Sequence, residues 1–172
     1  MKSIQPRSRC PARLRPPTLD DGQAIHRLIT NSPPLDRNSV YAYLLQGLHH
    51  AATCVVADGD DGLAGYVSAY IPPQQADTLF IWQMVVASSW RGEGLAQAML
   101  HHLLARRVHG VRWLETTITP DNVASLATFQ ALARQLDIGI EAVGALGGAL
   151  FPEPDHPAEI LYRLGPLPDA AD

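Results

Sequence analysis

The sequence predicts an α/β (α+β) fold: a central mixed, mostly antiparallel sheet flanked by about four helices. Three observations carry that prediction. Short apolar runs of strand length crowd the middle of the chain, between Thr53 and Val86. The apolar period then turns helical after Arg91. A strand pattern returns at 113–118 and at 160–164, with a helical segment between them.

Taken in order, residues 1–12 are punctuated by Pro6 and Pro11, offer little to bury, and are expected to form a disordered arm; residues 13–172 form one domain. Leu14-Arg15-Pro16 reads as a short edge strand. Thr18 with Asp21 marks a helix start, and Leu19, Ile25, Leu28 and Ile29 give that helix one apolar face before Ser32-Pro33-Pro34 stops it. Asn38 or Ser39 can cap a second helix, in which Val40, Tyr43, Leu44 and Leu48 share a side. Thr53 to Ala57 and Leu63 to Ile71 form a hairpin about Asp58-Gly59-Asp60-Asp61-Gly62.

Thr78 to Val86 follows, with Phe80, Trp82, Met84 and Val86 alternating against Leu79, Ile81 and Val85. Apolar residues on both faces predict a central strand covered on both sides. The helix after Arg91 carries Leu95, Met99, Leu103 and Leu104 along one side. Trp113 to Ile118 is a strand, and Pro120-Asp121-Asn122 opens a helix reaching about Leu136. Ile138 to Glu141 is a candidate strand, Ala142 to Pro157 a long loop, and Ile160 to Leu164 the closing strand.

Composition narrows the function. A chain of 172 residues with 17% charged residues and a net charge of −4 has no basic excess for nucleic acid. No window reaches the roughly 18 apolar residues that span a bilayer, and the N-terminus lacks the apolar stretch of a secretory signal. Cys10 and Cys54 make no disulfide framework, and a cytoplasmic protein is expected. No set of His, Cys and acidic residues has metal-ligand spacing, so no metal is expected; His101 and His102 read as structural.

The chemistry concentrates at Arg91-Gly92-Glu93-Gly94-Leu95-Ala96, between a strand and a helix. A helix N-terminus presents unpaired N–H groups and the positive end of a macrodipole. Gly92 and Gly94 let those groups approach an anion with no Cβ between, and Arg91 adds a cation able to fork onto phosphate oxygens. Together these suit a pyrophosphate. The P-loop pattern is absent, and Gln97 stands where a dinucleotide fold needs its third glycine.

At this turn the chain resembles the GNAT superfamily of acetyl-CoA-dependent N-acetyltransferases, whose signature is Arg/Gln-x-x-Gly-x-Gly/Ala. The preceding strand, the following helix and Asn122 at the next helix start match the same order. A closer resemblance, over about residues 13–165, is to the 2,4-diaminobutyrate acetyltransferases of ectoine biosynthesis. It rests on Pro33 to Leu45, on Asp77-Thr78-Leu79-Phe80-Ile81-Trp82-Gln83, and on Leu114-Glu115-Thr116-Thr117-Ile118-Thr119-Pro120-Asp121-Asn122. The resemblance implies acetyl transfer from acetyl-CoA to the γ-amine of L-2,4-diaminobutyrate, in a cytoplasmic homodimer. Another small amine, or a non-catalytic acyl-CoA sensor, are the alternative readings.

The resemblance also assigns residues. Met84, Val85 and Val86 would pair with the pantetheine arm as an added strand does, with a backbone N–H near Val86 receiving the thioester oxygen. Asn122 and Ser125, one helical turn apart, could bond the same arm. Phe129 occupies the position where many relatives in the superfamily carry a tyrosine that protonates the thiolate, and phenylalanine has no proton to give. A diamino substrate calls for acidic anchors, and Asp36 and Glu159 are the candidates for this and for the base. Asp36 could instead cap a helix, and Glu159 could be a solvated strand-edge charge. Trp82 and Tyr41 are either packing residues or walls of the substrate pocket, and His156 a loop residue able to fold over the substrate.

Overall fold

The computed structural model describes residues 12–33, 35–106, 110–153 and 155–168. Seven strands form one sheet in the order β1-β2-β3-β4-β5-β7-β6. They are β1 (Arg13–Arg15), β2 (Val55–Gly59), β3 (Gly62–Tyr70), β4 (Thr78–Val86), β5 (Trp113–Ile118), β6 (Gly139–Leu146) and β7 (Glu159–Gly165). The helices are α1 (Gly22–Thr30), α2 (Val40–His49), α3 (Leu95–Ala105) and α4 (Val123–Leu136). Every pairing is antiparallel except β4 with β5, so the sheet is mixed and mostly antiparallel. The candidate arm lies outside the described residues but for Ala12, which packs on the main core.

Two cores cover the two faces of this sheet. On one face Met99, Leu100 and Leu103 of α3 and Phe129, Leu132 and Ala133 of α4 pack against Val67, Leu79, Ile81, Leu114 and Leu164. On the other, Ile25, Leu28 and Ile29 of α1 and Tyr43 of α2 meet Val56, Tyr66 and Val85. β4 lies fourth of seven and is buried by both, as its two apolar faces predict.

Several local expectations are corrected. Leu19 sits in a 3-10 turn ahead of α1 and is half exposed, so α1 buries Gly22, Ile25, Leu28 and Ile29 instead. Leu48 is also exposed, and α2 turns Tyr43, Gln46 and Gly47 inward. Gly47 is needed there because a Cβ would meet the Thr18 carbonyl oxygen at 2.5 Å. The strand expected from Thr53 starts at Val55, after a 3-10 turn over Ala51–Thr53. β6 continues to Leu146, five residues past the expected end, because Ala142 to Leu146 pair with β7. The long loop is thus shortened to the connection that follows Leu146.

β4 does not keep the strict alternation its sequence suggests. Ser68 pairs with Gln83 and Ala69 with Ile81, so Trp82 is one residue extra against β3, a β-bulge. Ile81 and Met84 both face the α3/α4 core, which sends the two residues between them, Trp82 and Gln83, to the opposite face. Met84 and Val86 therefore share a face with Leu79 and Ile81, and not with Phe80 and Trp82.

The α1 side is tied to the sheet by charge. Arg15 reaches both Asp21 oxygens at 2.8 Å and both Asp58 oxygens at 2.8 and 2.9 Å. The guanidinium, with further help from the Thr18 N–H and hydroxyl, holds the Asp21 carboxyl down at about 2, against an ordinary 3.8. A depressed carboxyl stabilises the fold above its unfolded value, and that contribution disappears as pH falls through the folded one. Asp21→Asn should therefore lower the unfolding free energy by about 2 kcal/mol at pH 7. Urea melts of both proteins across pH should show the gap closing as pH falls through about 2.

Candidate active site

The register of β4 and β5 creates the opening on which the site is built. The two strands pair from Thr78–Trp113 to Ile81–Thr116, where the paired register ends. β5 continues to Ile118 alongside β7, while β4 continues to Val86 alongside β3. Past the bulge the β5 side of β4 is therefore an open backbone edge, comprising Gln83 to Val86. An extended chain can add to such an edge by main-chain hydrogen bonds.

The glycine turn follows directly. After β4 a 3-10 turn over Ser88–Trp90 delivers the chain to Arg91, and α3 begins at Leu95. Gly92 has φ +79° and Gly94, the N-cap of α3, has φ +77°. Those values favour glycine, and a Cβ at either position would meet nothing within 4 Å, so each glycine opens onto clear space. Gly94 has no side chain with which to cap α3, whose first-turn N–H groups lie at the positive end of its macrodipole. The site thus provides what a pyrophosphate needs. Arg91 directs its Nε to the Val86 carbonyl at 3.3 Å, bracing the turn against the end of β4. Leu95 is anchored in the core while Ala96 is half buried, and Gln97 donates to the Thr128 carbonyl at 2.7 Å, tying α3 to α4. Glu93 is exposed on the turn.

Across the opening, Asn122 caps α4: its Oδ1 accepts from the Ser125 N–H at 3.1 Å, leaving the carboxamide nitrogen as donor. Ser125 is half buried, and Phe129 one turn on is only 1% exposed in the α3/α4 core. Its ring is a packing element, and it offers no proton.

Of the substrate candidates, Trp82 and Glu159 take the opposite face of the sheet. Trp82 is 48% exposed there, freed from the core by the bulge. Glu159 begins β7, next to Ile160, which pairs with Ile118 in the α3/α4 core, so Glu159 projects to the Trp82 face at the end where β4 and β5 part. Asp36 is exposed and is no helix cap, because the Ser39 hydroxyl accepts the Ala42 N–H at the start of α2. Tyr41, 67% exposed on the first turn of α2, is not helix packing either. His156 stacks on Phe151 with ring centroids 3.9 Å apart, and its Nδ1 lies 2.7 Å from the Pro157 carbonyl oxygen. Both residues line a depression of about 370 Å³ in the β6–β7 connection, beside the start of β7.

Sequence reasoning gave Gln83 and Ser68 no individual role, and took Asn38 as a candidate helix cap and Tyr43 as helix packing. Gln83 is 8% exposed and joins all of them. Its Nε2 donates to the Asp36 carbonyl at 2.8 Å, and its Oε1 accepts from Asn38 Nδ2 and from the Tyr43 hydroxyl, both at 3.4 Å. Its backbone N–H donates to the Ser68 hydroxyl at 3.1 Å, in place of a regular ladder partner. A glutamine inside an otherwise apolar central strand was the available signal.

A backbone edge that ends at a glycine turn and an uncapped helix, on a mixed sheet with one parallel pair at its centre, defines an acyl-CoA-dependent acyltransferase. Residues 22–133 match the acetyltransferase (GNAT) family, and the chain belongs to that family. It is 48% identical over 165 residues to the L-2,4-diaminobutyric acid acetyltransferase of Bordetella parapertussis, covering 95% of this chain and 89% of the relative. It is 44% identical over 152 residues to the enzyme of the same name from Halalkalibacterium halodurans, covering 88% and 80%. The diaminobutyrate acetyltransferase of Paenibacillus lautus, solved with its substrate L-2,4-diaminobutyric acid and coenzyme A, superposes with a TM-score of 0.87 at 36% identity, over 94% of this chain and 98% of that one. The chain is thus an acetyltransferase that takes acetyl-CoA as co-substrate. Among the described residues no cluster of His, Cys, Asp or Glu could hold a metal, and no helix is long and apolar enough to cross a membrane.

The turn makes a direct prediction. Gly94→Val forces a β-branched residue to φ +77° and sets a side chain in front of the first-turn amides. Steady-state kinetics should show KM for acetyl-CoA raised about tenfold or more, with a melting temperature only a few degrees lower.

Proposed function

We propose that this chain transfers acetyl from acetyl-CoA to the γ-amine of L-2,4-diaminobutyrate by direct attack of the amine on the thioester, an early step in ectoine formation. The observation that carries the reading is the parting of β4 from β5 after Ile81–Thr116, beside the start of α3 at its glycine N-cap. Acetyl-CoA supplies an activated acetyl group as a thioester. The backbone edge of Met84, Val85 and Val86 holds the pantetheine arm, with Asn122 and Ser125 on the far side. The amides from Gly92 to Ala96 hold the pyrophosphate, with Arg91 adding positive charge beside it.

The amine arrives protonated. With an ordinary amine pKa near 10, releasing its lone pair at pH 7 costs about 4 kcal/mol. Asp36 and Glu159 hold the two ammonium groups, and one of these carboxylates, directly or through a water, takes the proton. The Trp82 ring and Tyr41 wall the site, and a cation over the indole face gains from its quadrupole. His156, beside the start of β7, closes over the amino acid. Charge developing on the acyl oxygen is met by a backbone N–H near Val86. Phe129 gives no proton, and a thiol pKa near 8.5 makes the thiolate an adequate leaving group without one.

The proposal extends to a cytoplasmic homodimer. β6 is the last strand of the sheet and presents Val143 and Leu146 at 41% and 46% exposure, an apolar edge suited to a second copy. Light scattering on the purified protein should give about twice 18.7 kDa.

Turnover of 2,4-diaminobutyrate, ornithine and lysine tests the substrate. The expected result is thiol release with the first at a kcat/KM at least about tenfold above the others. Release with another amine alone would refute the assignment. Tight coenzyme A binding with no release for any amine would make the chain an acyl-CoA sensor. Asp36→Asn and Glu159→Gln should each lower kcat/KM for the amino acid by about a hundredfold while leaving coenzyme A binding intact.

A further inference from the structure

The carboxamide of Gln83 lies one residue from Trp82, on the same face of β4, and touches three parts of the segment that carries Asp36. It donates to the Asp36 carbonyl at 2.8 Å and accepts from the side chain of Asn38 at 3.4 Å. It also accepts from the Tyr43 hydroxyl at 3.4 Å, and that same hydroxyl accepts the Asn38 backbone N–H at 3.1 Å. Residues 35–39 form no helix or strand of their own, so these bonds, with Leu35 packed on the α1/α2 core, fix them against the sheet. Tyr43 itself is fully buried, held edge-on to Tyr66 with ring centroids 6.3 Å apart, and cannot drift.

We propose that Gln83 is a positioning residue that sets the height of Asp36 over the Trp82 face and so determines how well the site holds a short diamino acid. The inference rests on the functional reading above. The bulge is what makes it possible: in a regular strand Gln83 would have turned toward the α3/α4 core, where a carboxamide has no partner. With the extra residue at Trp82, its N–H finds the Ser68 hydroxyl, and both ends of its carboxamide find the 36–43 segment. The Oε1 uses both lone pairs and the Nε2 one hydrogen, so glutamate cannot replace it: a carboxylate would face the Asp36 carbonyl without a proton to donate.

Gln83→Met keeps the size and removes every carboxamide bond. The expected result is a KM for diaminobutyrate raised about tenfold, as the loss of one or two net hydrogen bonds gives. kcat should change less than about threefold and KM for acetyl-CoA less than about twofold. The preference for diaminobutyrate over ornithine should shrink in the same variant. Tyr43→Phe, which removes one donor to Gln83 and leaves the Asp36 bond, should show a smaller change of the same kind and serves if Gln83→Met does not fold. Amide exchange over residues 35–40 should quicken in both variants with no substrate present. Unchanged exchange there, or a rise in KM for acetyl-CoA matching that for the amino acid, overturns the inference. If the wild-type chain ignores diaminobutyrate while exchange still quickens in the variants, the anchoring of Asp36 stands and the substrate reading falls.

Discussion

The site depends on where β4 stops pairing with β5. A parallel pair at the middle of an otherwise antiparallel sheet is held by only four registered positions, and then the strands go separate ways with different neighbours. The match ends at Ile81, immediately before the bulge at Trp82, and a bulge bends its strand and increases the local twist. That one extra residue has two consequences on opposite faces. It keeps Met84 and Val86 packed on the α3/α4 core, which fixes the open edge, and it turns Trp82 and Gln83 to the other face, where Gln83 is buried against Tyr43 of α2.

Binding and chemistry are consequently divided between the ends of neighbouring elements. In the reaction proposed above, the coenzyme side uses backbone: strand amides, a turn made of two left-handed glycines and the first turn of α3. Backbone donors there are placed by the fold itself, so they need little side-chain ordering. In the same proposal the amino-acid side draws on side chains from three separate stretches, at 36–41, 82–83 and 156–159, and these require fastening. The buried polar cluster around Gln83 does that on one flank, and the stacking of His156 on Phe151 orders the other.

Away from the site, the half of the sheet formed by β5, β7 and β6 has its own support. Glu115, 3% exposed, is bonded by Arg163 at 2.6 and 2.7 Å, and the same guanidinium lies over the Trp113 ring at 5.5 Å. A buried carboxylate is tolerable only with such a partner. It stabilises the β5–β7 pair two positions below Thr117 and Leu161, and so holds the strand that carries Glu159 in register.

The sequence by itself determined the element order, the central place of β4 and the glycine turn before α3, because these follow from short-range rules: apolar period, helix capping and the glycine requirement at positive φ. It also carried the family, through the likeness of Pro33 to Leu45 and of Asp77 to Gln83 to known acetyltransferases. Only the tertiary structure decided which side of β4 each residue faces, since a bulge is a mismatch between two strands and leaves no mark in either one alone. The extent of β6 and the exposure of Leu19 and Leu48 were equally hidden, being settled by what each segment packs against. The role of Gln83 was hidden for the same reason: its partners lie about forty positions away in the chain, and only folding brings them within hydrogen-bonding reach.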